Sequence, residues 1–182
     1  NGTIQDMVDM AEALQEKKLG QLADYIVSCR PKVKVVLIAG PSSAGKTTFC
    51  KRLTTQLRVN GLRPIGISLD DYFYNREDTP KNPDGSYDFE SLRAIDVLLF
   101  NQQIDDLNQG KEVHLARFDF VTGHRHFDDK PTVLEKGQPI VVEGLHALND
   151  SLTYMLPRYE KVKISLGVLT QIRINDPNRI ST

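Results

Sequence analysis

The chain has 182 residues, of which 23 are Lys or Arg and 24 are Asp or Glu, giving a net charge of −1 and a pI near 6.5. One α/β core fits that length, and the balanced charge offers no global field to hold nucleic acid or an anionic membrane, so any phosphate has to be met locally. Two cysteines, Cys29 and Cys50, are too few for a disulfide framework, and no apolar run reaches the roughly 18 residues of a membrane span; a cytoplasmic protein without nucleic-acid or membrane partners is expected.

Ile4, Met7, Val8, Ala11 and Leu14 recur at helical spacing behind Thr3, which can form a cap with Asp6. Leu19, Leu22 and Ile26 continue the pattern past Lys17 and Lys18. Residues 1–31 therefore read as a helical lead-in of one or two segments, ended by Pro31, ahead of a domain over 32–182. Val33, Val35, Val36, Leu37 and Ile38 form the apolar run of a buried parallel strand. Directly after it come Gly40, Pro41, Ser42, Ser43, Ala44, Gly45, Lys46, Thr47 and Thr48, the spacing of a phosphate-binding loop between strand and helix. Gly40 and Gly45 let backbone N–H groups approach phosphates, Lys46 can reach β- and γ-phosphate oxygens, and the Thr47 hydroxyl can bind Mg²⁺. The helix that follows, to about Asn60, aims its positive end at the anion, and Gly61 supplies a left-handed stop.

Pro64, Ile65, Gly66, Ile67, Ser68 and Leu69 form the next strand, which places Asp70 and Asp71 at its C-terminal end, where an open α/β sheet meets its ligands. A kinase needs a carboxylate there to orient an acceptor hydroxyl and take its proton. Strand alternation sends the two side chains opposite ways and leaves the pair ambiguous; Asp70 is taken as that base and Asp71 as a loop or helix-start residue, and a turn-capping role for both carboxylates stays open. Residues 74–88, with Pro80, Pro83 and Gly85, read as a long excursion, and 89–108 as a helix stopped by Gly110. A second excursion covers 115–130. In it Arg117, His124 and Arg125 flank Phe118, Asp119 and Phe120, a mixture suited to a sugar and a base ring, or equally to the packed centre of a loop. His124 and His126 lack the companions of a tetrahedral metal site. A strand over 139–144 carries Glu143 at its end, in position for Mg²⁺ or a water on it, with His146 close behind; a last strand covers 161–167. The fold class this predicts is a three-layer α/β P-loop NTPase sandwich, with a mostly parallel sheet and helices on both faces.

Residues 33–167 resemble the uridine kinase-like P-loop kinases through five motifs in order: residues 40–48, Ile67 to Phe73, Tyr87-Asp88-Phe89, Phe118 to Thr122, and Val141-Val142-Glu143-Gly144. The resemblance implies ATP held by residues 40–48, with Lys46 and Asp70 catalytic and Mg²⁺ on Thr47 and Glu143. It also implies a small-molecule nucleoside contacted by Asp70, Tyr72, Phe73, Asp88, Phe118, His124 and Arg125, and it is compatible with a homo-oligomer. Pyrimidine nucleoside kinases usually carry tyrosine where Phe118 stands and histidine where Gly123 stands, so uridine itself is not fixed as the acceptor. The likeness is greatest to a bacterial subgroup whose kinase domain follows a threonyl-tRNA-synthetase-like region. In that subgroup Asn178, Arg179, Ile180, Ser181 and Thr182 would lead into an arginine-rich lid helix, and a longer protein is expected. Two other readings stand beside this one: a P-loop kinase for another small alcohol or a sugar phosphate, and an ATP-binding regulatory module without transfer.

Overall fold

The computed structural model describes residues 3–41 and 45–167, and the backbone of 172–174; the expectations placed on Ser42, Ser43, Ala44 and 178–182 lie outside the described residues. The lead-in is a single helix, α1 (Ile4–Ser28), because Gln15, Glu16, Lys17 and Lys18 are good helix formers and carry it through. Thr3 and Asp6 close a reciprocal cap: the Thr3 N–H donates to Asp6 Oδ2 at 2.7 Å and the Asp6 N–H to Thr3 Oγ1 at 3.2 Å. The first half of α1 is exposed. The second half buries Leu19, Leu22, Ala23 and Ile26 against α2 (Lys46–Val59), and Arg52 of α2 pairs with Glu16.

The strands are β1 (Val35–Ala39), β2 (Ile65–Ser68), β3 (Ala116–Asp119), β4 (His124–Phe127), β5 (Ile140–Glu143), β6 (Lys161–Leu166) and β7 (Ile172–Ile174). The main sheet has the order β2-β5-β1-β6-β7, parallel except for β7 against β6. Full burial of all five β1 residues explains their uniformly apolar sequence: each face is covered. Val36 and Ile38 pack with α1 and α2 on one face; Val35 and Leu37 pack on the other with α3 (Val97–Asn108), through Phe100, Ile104 and Leu107. This is the expected three-layer sandwich. No helix among the described residues is long and apolar enough to cross a membrane.

Two expected elements come out differently. The helix foreseen over 89–108 is a short 3₁₀ turn (Leu92–Ala94) followed by α3, since Asp96 resets the chain by accepting the Leu99 N–H at 3.0 Å as an N-cap. The excursion foreseen over 115–130 contains an antiparallel hairpin of β3 and β4, with Asp119 opposite His124. Gly123 closes its turn at φ +77°, donating its N–H to the Asp119 carbonyl at 2.7 Å.

Candidate active site

Three of the polar groups singled out in the sequence converge on the C-terminal edge of the parallel strands. Gly45, in the left-handed region at φ +69°, is the N-cap of α2 and offers no side chain to the first-turn N–H groups. Among the described residues no side chain caps this turn, the place where a helix start presents its N–H groups to an anion. Glu143 ends β5 in register with Ser68 of β2 and Ile38 of β1, and the Ser68 hydroxyl donates to its Oε1 at 3.2 Å. Gly144 then lies against Leu69: a Cβ there would come within 2.6 Å of the Leu69 side chain. The missing side chain lets the ends of β5 and β2 close together and brings Glu143 beside Asp70.

Asp70 sits on a 3₁₀ turn (Leu69–Tyr72) rather than on the strand itself. With three residues per turn, successive side chains leave in three directions instead of two. Asp70 faces the open edge. Asp71 reaches the hairpin, where its Oδ1 accepts the Phe118 N–H at 3.2 Å and its Oδ2 accepts Arg117 Nη1 at 3.0 Å. Tyr72 turns into the core: it is fully buried, its hydroxyl donates to Gln103 Oε1 at 2.8 Å, and Phe100 meets its ring edge-on. The substrate contact that the family resemblance implied for Tyr72 is therefore corrected to a packing role, because on this turn its side chain leaves toward the core.

Burial raises the pKa of Asp70 above its ordinary 3.8; Lys46 opposes the rise, Asp71 adds to it and His146 reduces it. Burial likewise raises Glu143 above 4.5, with the Ser68 hydrogen bond and Lys46 opposing and the neighbouring aspartates adding. Lys46 thus stands within electrostatic reach of both carboxylates. The donors in this corner are oxygens, Thr47 hydroxyl and Asp and Glu carboxylates, and no cluster of three or more metal-binding His, Cys, Asp or Glu side chains occurs among the described residues. That set suits Mg²⁺, which takes few protein ligands and fills its octahedron with phosphate and water oxygens, and it does not suit zinc.

The expected acceptor residues gather around the hairpin. Phe73 and Phe118 are nearly buried and meet edge to face at 5.6 Å, with Phe89 and Phe120 completing an aromatic wall. Asp88 accepts the Ser91 N–H at 3.0 Å and holds the chain entering α3. His124 is exposed, its ring 3.8 Å from the Glu77 carboxylate. Arg125 lies 3.1 Å from Asp96 and over the Tyr74 ring, so its charge is already matched inside the fold. His146, just behind Glu143 in the chain, is hydrogen-bonded to the Glu90 carbonyl at 2.6 Å.

Residues 35–177 match the Phosphoribulokinase / Uridine kinase family. The chain belongs to this family. Inorganic pyrophosphatase TTM2 of Arabidopsis thaliana is 33% identical to it, over 74% of this chain and 18% of that protein. Uridine-cytidine kinase C of Dictyostelium discoideum is 31% identical, over 75% of this chain and 28% of that protein. The chain thus spans less than a third of either curated relative. The solved structure of a possible uridine kinase from Bacillus stearothermophilus superposes with a TM-score of 0.58 at 19% identity, covering 79% of this chain and 73% of that one, a likeness of fold.

Within this phosphoribulokinase/uridine kinase family domain, three features escaped the sequence reading. Ser68 carries no motif signal beyond its strand-end position, yet it orients Glu143. Arg76 crosses the hairpin turn, its Nη2 donating to the Phe120 carbonyl at 2.8 Å, and a Cβ on Gly123 would come within 2.6 Å of its guanidinium. Arg117 joins Asp71 to Asp128, a pairing across 46 and 11 residues that no local pattern announces.

Proposed function

We propose that this domain transfers the γ-phosphoryl group of ATP to a hydroxyl of a small molecule, with the 5′-hydroxyl of a nucleoside as the leading acceptor. The observation that carries the reading is the meeting of one cation, Lys46, with two burial-perturbed carboxylates, Asp70 and Glu143, beside the uncapped start of α2. The family membership of the chain supports the same chemistry.

In this reading the first-turn N–H groups of α2 and Lys46 hold the phosphates and draw off the charge that builds on the γ-phosphoryl oxygens. Mg²⁺, held by Thr47 and, directly or through water, by Glu143, would neutralise β- and γ-oxygens when bound. Asp70 accepts the proton of the attacking hydroxyl while the aromatic wall positions the acceptor. Little covalent work falls to the protein, and catalysis is positioning plus charge stabilisation.

A coupled transfer assay on the full-length protein, with ATP, Mg²⁺ and a panel of nucleosides, sugar phosphates and simple alcohols, tests the reading. Lys46→Ala should lower kcat by at least about 10²–10³-fold. Asp70→Asn should keep ATP binding and lose transfer by at least about 10²-fold; an Asp70→Asn protein that no longer binds ATP contradicts the role given to Asp70. ATP binding by the unsubstituted protein without transfer to any acceptor points instead to a regulatory nucleotide-binding module.

A further inference from the structure

Among the described residues the β3-β4 hairpin is a sheet of its own and pairs with no strand of the main sheet. Its base is nonetheless fixed beside Asp70 by a saturated ion network. Asp71 takes the Phe118 N–H on one oxygen and Arg117 Nη1 on the other. Arg117 also grips Asp128, just past β4, with Nε on Oδ1 at 3.0 Å and Nη2 on Oδ2 at 2.9 Å. One guanidinium therefore ties the strand-end turn, β3 and the chain leaving β4 at a single point. Asn75 and Arg76 hold the other end of the hairpin, through Arg125 N–H to Asn75 Oδ1 at 2.9 Å and Arg76 N–H to the Gly123 carbonyl at 2.8 Å.

Partly exposed ion pairs add little stability, but a bidentate guanidinium fixes distance and angle. Asp71 is the covalent neighbour of Asp70, and Arg117 of Phe118. We infer that the Asp71–Arg117–Asp128 network is a positioning device that sets the gap between the base Asp70 and the aromatic wall of Phe73, Phe118 and Phe120, and so fixes where the acceptor hydroxyl sits. This inference rests on the kinase reading above. Arg117 and Asp71 are positioning residues, since both act through the groups they hold: each other, Asp128 and the Phe118 N–H.

The test uses the full-length protein with uridine as acceptor, comparing Arg117→Gln, Arg117→Lys and the parent. Arg117→Gln should raise KM for uridine or lower kcat by about 10- to 100-fold while KM for ATP stays within about twofold, since a displacement of about an ångström suffices for such a loss. Arg117→Lys, which keeps the charge but not the fork, should fall between. Equal changes in both KM values, or no change in either kcat or KM, overturn the inference. Amide hydrogen exchange provides an arm independent of catalysis: Arg117→Gln should lose protection in residues 116–127 while 35–39 and 140–143 keep theirs. If the parent transfers nothing to uridine, that result counts against the nucleoside reading alone. Exchange then decides the brace, with selective loss in the hairpin supporting it and unchanged protection overturning it.

Discussion

Asp70 and Glu143 are carboxylates whose ionised form the fold disfavours and the proposed chemistry needs. Both have pKa values raised above 3.8 and 4.5, burial being the largest cause in each. The folded state therefore binds more protons than the unfolded chain as pH climbs past those ordinary values, and stability is lost over the interval up to the raised ones. Above that interval the ionised form of each carboxylate is the costlier one in the fold. Asp70→Asn should accordingly raise Tm at pH 7, with the gain shrinking as pH falls toward 3.8; a lowered Tm at pH 7 would contradict this. The acid limb of the pH–rate profile should also lie above 3.8, because proton abstraction requires ionised Asp70. Burial, with Glu143 adding to it, pushes the Cys50 thiol up to about 12, so neutral-pH alkylation should leave Cys50 unmodified, as peptide mapping after iodoacetamide would read out. Lys46, Asp70 and Glu143 were visible in the sequence because each follows an apolar strand, and strand ends are where this architecture binds ligands. The burial of Tyr72, for which the resemblance implied a substrate contact, was not legible because nothing in Leu69, Asp70 and Asp71 marks the 3₁₀ turn that begins at Leu69.

At the scale of elements, strands were easier to read than the pieces between them. β1, β5 and β6 lie within a residue or two of their expected places because continuous apolar runs have few alternatives in a covered sheet. The hairpin was hidden because only one of its strands alternates: Ala116–Asp119 alternates apolar and polar over a mere four residues, while in His124–Phe127 almost all residues are exposed. Its turn also lacks a two-residue Asn-Gly signal. Helix α1 carries more than its position suggests. Leu19 is fully buried between α2 and the sheet, so Leu19→Ala should cost about 2–5 kcal/mol in denaturant unfolding. Gly144→Ala forces a Cβ to within 2.6 Å of the buried Leu69 side chain and should cost about 1–3 kcal/mol, with a larger proportional loss of activity because Leu69 precedes Asp70. Wild-type-like unfolding of Gly144→Ala would show that the strand ends can part without strain.

Across the whole molecule, the candidate site is assembled from positions far apart in the chain and near each other only through sheet order. Lys46 follows β1, Asp70 follows β2 and Glu143 ends β5, and the order β2-β5-β1 sets the three strands side by side. Sequence motifs name such residues, but only strand register tells how they face one another; the Ser68 to Glu143 bond spans 75 residues and depends on that register. The two halves of the proposed reaction also differ in construction. The phosphate end is built into the central sheet, where a one-residue slip would disturb the core. The acceptor end of that reading sits on a two-stranded ribbon joined to the body by ring contacts, ion pairs and hydrogen bonds, with Ala116 and Phe118 of β3 in the core and most of β4 exposed. Substitutions on β4 can therefore accumulate without renegotiating the core while those on β3 cannot, so under the proposed reading a lineage of these domains would acquire new acceptors through β4.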